Sequence, residues 1–175
     1  MKKIIALALS AVLALSMVAC GGSDTTSNVS EIADTIKNST INDCTGTIDE
    51  YYMAFLGFGE IDYATDEYTL SDEFKSFAGY YSERMPGVDI ILAVEAADGR
   101  VEDVKAKLQQ RIDQTAATYE NYASDGYYNK VTAARLVVKG NVVVLAIAGD
   151  MDILSEQGIE AVYEPVDAAI EEAFK

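Results

Sequence analysis

Six consecutive apolar residues, Val142-Val143-Val144-Leu145-Ala146-Ile147, set the strongest constraint on the fold. A strand this uniformly apolar is stable only when both of its faces are covered, which places it in the interior of a sheet. Gly140-Asn141 precedes it and a second β-branched run, Ala133 to Val138, lies before that turn, so residues 133–148 read as a tight hairpin. The segment Val88 to Ala96 (VDIILAVEA) reads as a further strand. Its alternation puts Val88, Ile90, Leu92 and Val94 on one face and Asp89, Ile91, Ala93 and Glu95 on the other.

Helical periodicity surrounds these strands. Val101, Val104, Leu108, Ile112, Ala116 and Tyr119 form the apolar stripe of a long amphipathic helix over about 101–122. Ile159, Val162, Tyr163, Val166, Ile170 and Phe174 form a second stripe at the C-terminal end, where Pro165 is expected to kink the helix or start a new one. A short helix from Ser30 to Asn38, capped by Ser30, precedes a polar connection. Ser71 to about Glu83 is expected to be helical, with Phe74, Phe77 and Tyr81 on one face and Pro86-Gly87 ending it. Tyr68 to Leu70 favours a strand, whereas Ile48 to Gly59 fits either a helical turn or a buried strand. The elements together predict one α+β domain over residues 31–175, a mainly antiparallel sheet packed by the long helix and the C-terminal helix. A parallel crossover from strand 88–96 through the long helix to strand 133–138 is the open alternative.

The N-terminal segment carries an address. Lys2 and Lys3 precede an apolar run from Ile4 to Val18, the layout of a secretory signal peptide and too short for a membrane-spanning helix. Leu15-Ser16-Met17-Val18-Ala19-Cys20, followed by Gly21-Gly22-Ser23, resembles the lipobox of bacterial lipoproteins. That resemblance implies cleavage after residues 1–19, lipidation of Cys20, and a flexible tether over residues 20–30. A coil of Gly21 to Ser30 spans roughly 17–19 Å. The expected location is the outer face of the bacterial cytoplasmic membrane, with the membrane contacted through the lipid on Cys20.

Charge narrows the functions. The 175 residues hold 29 Asp plus Glu, 13 Lys plus Arg and no His, a formal charge of −16. The signal segment removes two lysines and no acid, so the mature chain reaches −18. Nucleic acid is excluded as a partner, because its binding rests on neutralised phosphates. The absence of His removes Ser-His-Asp and Cys-His catalysis and imidazole metal ligation. No cofactor motif is present. Cys44 is the remaining thiol of the mature chain, and with Asp43 beside it is expected to be an inert small residue.

Between Val88 and Asp150 the order of pieces is informative. Val101-Glu102-Asp103-Val104-Lys105 opens the long helix, followed by Leu108-Gln109-Gln110-Arg111-Ile112-Asp113-Gln114. Tyr119-Glu120-Asn121-Tyr122 and then Val137-Val138-Lys139-Gly140-Asn141-Val142-Val143 complete the series. The stretch resembles the domain of unknown function 4358 family, small lipoproteins of Firmicutes-type bacteria. The resemblance implies fold and location and no reaction. Its polar positions here are Arg111, Gln114 and Tyr122. Arg111 flanks the apolar series and is expected to pair with a carboxylate, locking the helix to the sheet.

Other chemistry has weaker signals. Asp62 to Glu73 has the length of an EF-hand loop, but Ala64 and Glu67 stand where a ligand and a glycine are needed. A looser oxygen site among Asp62, Asp66, Glu67, Asp72 and Glu73 is the candidate for a metal. Paired tyrosines at 51–52, 80–81 and 127–128 are candidate contacts for an envelope protein, peptide or glycan partner. The expected function is a non-catalytic binding or accessory module of the cell envelope. The alternatives are a carboxylate-dependent hydrolase outside the cytoplasm and a small single-domain solute receptor.

Overall fold

In a computed structural model, residues 28–121 and 126–175 are described. Residues 1–19, expected to be a signal segment, and Cys20 and Tyr122 lie outside the described residues. The element order is α1 (Val29–Ser39), β1 (Gly46–Thr47), α2 (Glu50–Met53), a widened helical turn (Ala54–Phe58), β2 (Gly59–Asp62) and β3 (Glu67–Leu70). There follow β4 (Phe74–Tyr81), β5 (Ile90–Ala96), α3 (Val101–Tyr119), α4 (Tyr127–Thr132), β6 (Arg135–Lys139), β7 (Val142–Ile147), α5 (Met151–Gln157) and α6 (Ile159–Ala173).

Five strands form one antiparallel sheet in the order β1-β4-β5-β7-β6, and β2 with β3 forms a separate hairpin. Both β5 and β6 pair antiparallel to β7. They therefore run parallel to each other with β7 between them: the connection from β5 through α3 to β6 is a crossover between parallel strands, although every adjacent pair in the sheet is antiparallel. The 133–148 hairpin forms as expected, turning at Gly140, whose φ of 62° suits a residue without Cβ.

The even and odd positions of the central strands feed two separate cores. Ile90, Leu92, Val94, Val143 and Leu145 face Val104, Leu108 and Ile112 of α3 together with Met53, Leu56 and Phe58. Ile91, Ala93, Val142, Val144 and Ala146 face Val29, Ile32 and Ile36 of α1 and Val162, Tyr163, Val166 and Ile170 of α6. All six residues of β7 are buried, which is why its sequence shows no polar alternation.

Residues 71–83 correct the sequence reading. Their central part, Phe74–Tyr81, is strand β4, and none of the stretch is helical. A register shift between Phe74 and Ser76 inserts one extra residue, so Phe74, Phe77 and Tyr81 all pack on the α3 side. The i, i+3, i+7 spacing of these aromatics is thus the mark of a β-bulge. Gly79 fits the strand for a second reason: an added Cβ would stand 2.5 Å from the Ile91 carbonyl oxygen.

Smaller differences have local causes. Asn28, and not Ser30, caps α1, its side-chain oxygen accepting from the Ser30 and Glu31 amides. The ambiguous 48–59 stretch contains both α2 and the widened turn, which ends as Gly57 takes a φ of 93°. The long helix ends at Tyr119. Pro165 starts no new helix; α6 runs through it, and the chain breaks instead at Gly158, with a φ of 86°.

Candidate functional site

Helix α3 turns one polar stripe away from the core. Arg111, Gln114, Thr115, Thr118 and Tyr119 line a groove of about 240 Å³ whose opposite wall is Gly87. Arg111, Thr115 and Gly87 also border a smaller inner cavity of about 60 Å³, closed by Tyr52, Ser82, Asp89 and buried apolar residues of β5 and β7. Gly87 belongs to the loop between β4 and β5, which contains a cis Met85–Pro86 peptide bond.

The expected role of Arg111 is corrected here. It has no carboxylate within ion-pair distance among the described residues. Its guanidinium lies 5.1 Å from the centre of the Phe55 ring. It also sits at the Tyr52 hydroxyl, and Tyr52 in turn stacks on Tyr81 at 4.3 Å. Burial pushes the Tyr52 hydroxyl above its ordinary pKa, and the neighbouring Arg111 charge acts in the opposite direction. Gln114 is exposed at the groove mouth. The Thr115 and Thr118 hydroxyls donate to the Arg111 and Gln114 carbonyls one turn back, at 2.8 and 3.0 Å. Both therefore present oxygen lone pairs to the groove. The Tyr119 hydroxyl reaches the Gly87 carbonyl at 3.4 Å.

Behind the inner cavity lies a buried ion pair that sequence inspection missed. Lys130 Nζ donates to Asp89 Oδ1 at 2.6 Å, with side-chain exposures of 2% and 3%. It also donates to the Gly149 carbonyl at 2.6 Å, while Asp89 Oδ2 accepts the Asp43 amide at 3.0 Å. The Tyr163 hydroxyl donates to the Lys130 carbonyl at 2.6 Å. Burial raises the Asp89 pKa, and the Lys130 charge and hydrogen bond oppose it. A lone acid flanked by Val88 and Ile90, at the start of a strand covered on both faces, is the signal that could have found Asp89. Lys130, in the polar stretch before the hairpin, carries no such mark.

The five acidic candidates for a metal are not gathered. Among the described residues no group of three or more His, Cys, Asp or Glu side chains is placed to hold a metal ion. Asp62 and Glu67 face each other across the β2–β3 hairpin, Asp66 lies in its turn with a φ of 57°, and Asp62 accepts the Ala64 amide. Glu73 is already engaged: Ser71 Oγ, Arg100 and Lys107 all donate to its carboxylate. Asp72 lies 3.8 Å from Arg100. Burial alone would raise the Glu73 pKa, but its hydrogen bonds from Lys107 and Ser71, with the Lys107 and Arg100 charges, hold it below the usual carboxylate value.

A larger cleft, about 350 Å³, lies beside this network and is lined by Gly57, Gly59, Glu60, Thr69, Leu70, Ser71 and Lys107. Its one cation, Lys107, is bound to Glu73 and to the Gly57 carbonyl. The tyrosine pairs divide: Tyr52 and Tyr81 stack inward, Tyr80 bonds to Asp34, and Tyr51 stands exposed with its ring edge on Tyr68.

Cys44 is 6% exposed, and burial, with the Asp89 charge next in size, pushes its thiol up to about 12. The folded protein should therefore leave Cys44 unmodified by a thiol-specific disulfide reagent at pH 8, with full reaction after unfolding in urea. Rapid labelling of the native chain would contradict this.

The family model of a domain of unknown function (DUF4358) matches residues 62–148. The chain belongs to the DUF4358 family. No curated protein and no solved structure matches it. The match begins at Asp62, well before the Val88 start of the sequence resemblance, and takes in β3, β4 and the Glu73 network. The DUF4358 region supplies Arg111, Gln114, Asp89 and Lys130, whereas Tyr52 and Phe55 come from the segment before it. Among the described residues no helix is long and apolar enough to cross a membrane.

Proposed function

We propose that this DUF4358 protein is an exported lipoprotein, held by Cys20 at the outer face of the cytoplasmic membrane, which acts as a non-catalytic binding module of the cell envelope. The observation that carries the binding role is Arg111, a groove-lining guanidinium without a carboxylate partner among the described residues and backed by aromatic rings. An arginine committed to structure is ordinarily paired; one held open by aromatic packing is a ready anchor for a ligand's anion. The anchor rests on the Ala19-Cys20 junction and the apolar segment before it. An acidic domain charged at −18 stays off anionic lipid, so the acyl chains alone make the membrane contact.

The hydrolase alternative requires two carboxylates facing one cleft, roughly 5–10 Å apart. Of the three clefts described, one is lined by Glu60, one by Asp89 and one by neither, which weighs against it. Palmitate labelling tests the anchor: label should be incorporated by the wild-type chain and lost in Cys20→Ala. A Cys20→Ala chain that stays labelled would refute it. Thermal-shift measurements with amino acids, peptides, sugars and divalent ions test binding. Stabilisation that disappears in Arg111→Gln is the expected result, and no stabilisation by any of them would count against the reading.

A further inference from the structure

The groove has a definite hydrogen-bonding polarity. Arg111 offers N–H donors at one end, where its guanidinium lines the groove beside the Phe55 ring with no carboxylate partner among the described residues. One and two turns further along α3, Thr115 and Thr118 have given their protons to backbone carbonyls and present only acceptors. A ligand that satisfies both ends has an anion flanked by an N–H group. Charge selects the anion: a single guanidinium in a domain at −18 suits a monoanion, and a carboxylate matches its planar fork bidentately. The exposed face of Phe55, 51% accessible, gives an apolar body a place to rest beside that fork. The space of about 240 Å³ is smaller than the roughly 300–1,000 Å³ of pockets for drug-sized ligands, which suits a chain end of one or two residues.

We propose that the Arg111 groove binds the free C-terminal carboxylate of a peptide, with Arg111 clamping the carboxylate and Thr115 and Thr118 accepting the successive backbone N–H groups of its last two residues. This deepens the binding-module reading and rests on it.

Calorimetric titration of the full mature chain with a set of N-acetyl dipeptides, each as the free acid and as the C-terminal amide, tests the assignment. For the best binder the acid should bind at least tenfold more tightly than its amide. Arg111→Gln should weaken the acid at least tenfold. Gln114→Glu, at an exposed helix position, should weaken the acid about twofold while leaving circular dichroism and Tm nearly unchanged, because it places an internal carboxylate one turn from Arg111. Inorganic phosphate should bind more weakly than the best acid. Equal binding of acid and amide, or phosphate bound as tightly as the acid, would overturn the carboxylate assignment; if that binding still required Arg111, the binding-module reading would stand. Failure of every acid to bind would overturn the assignment, and failure of the wider ligand panel as well would remove the reading beneath it.

Discussion

Replacing Lys130 by methionine should destabilise the protein by about 3–5 kcal/mol, because it leaves a buried carboxylate without its counter-charge. Lys130 Nζ is enclosed between Asp89 Oδ1 and the Gly149 carbonyl, each at 2.6 Å, so no water replaces it without the core opening. In the variant Asp89 keeps only the Asp43 amide as donor. The loss should depend on pH with a definite sign. Burial already raises the Asp89 pKa against the pull of Lys130, and removal of that pull raises it further. A carboxyl whose folded pKa exceeds its unfolded value binds its proton more tightly in the native state. Its penalty is absent below the unfolded value, about 3.9, and grows as pH rises toward the folded one. The deficit of Lys130→Met relative to wild type should therefore be smaller at pH 5 than at pH 8 in urea melts. Equal deficits at the two pH values would show that loss of Lys130 does not raise the Asp89 pKa into that range. Combining Lys130→Met with Asp89→Asn should recover part of the loss, since the amide keeps an acceptor for Asp43 and carries no charge.

The elements that were readable from sequence are those whose pattern depends on a single periodicity. Val142 to Ile147 announces a strand covered on both faces, and two cores on opposite faces of the sheet are what it meets. Arg111, Gln114 and Thr118 share a stripe because α3 is one uninterrupted helix. Strand β4 was hidden because its bulge at Lys75 converts a period of two into an interval of three, which imitates a helical turn. The segment from Ile48 to Gly59 mixes a four-residue helix with a widened turn, so neither template fits it. The candidate site was half legible for a related reason. Its α3 stripe is local, but Tyr52 and Phe55 reach Arg111 from more than fifty residues away, and the pairing of Asp89 with Lys130 spans 41. Interactions of that separation leave no trace in spacing; they are set by how β5, α3 and α4 are brought together.

Phe58→Ala should be nearly as costly as the loss of Lys130, about 3–5 kcal/mol, and should reach the groove as well. Phe58 has no solvent exposure and meets the edge of Phe74 at a centroid distance of 5.7 Å. Lys107 Nζ lies 5.4 Å above its ring on the way to Glu73. The ring therefore fixes the end of the widened turn 54–58 against both the bulged start of β4 and helix α3. Gly59, directly after it, lies close against β3, where an added Cβ would stand 2.4 Å from the Thr69 carbonyl oxygen. With the ring removed, the turn loses the contact that holds it at α3, and Phe55 within the same turn loses its fixed position over Arg111. Phe58→Leu fills most of the space and should cost less than the alanine variant. The check is a pair of urea melts together with the dipeptide titration: Phe58→Ala should lower both stability and affinity for the free acid, with Phe58→Leu between it and wild type in each. A Phe58→Ala protein as stable as wild type would mean that the turn is held by its backbone alone. One that lost stability but bound the acid as before would separate Phe55 from recognition and leave Arg111 and the two threonines to carry it.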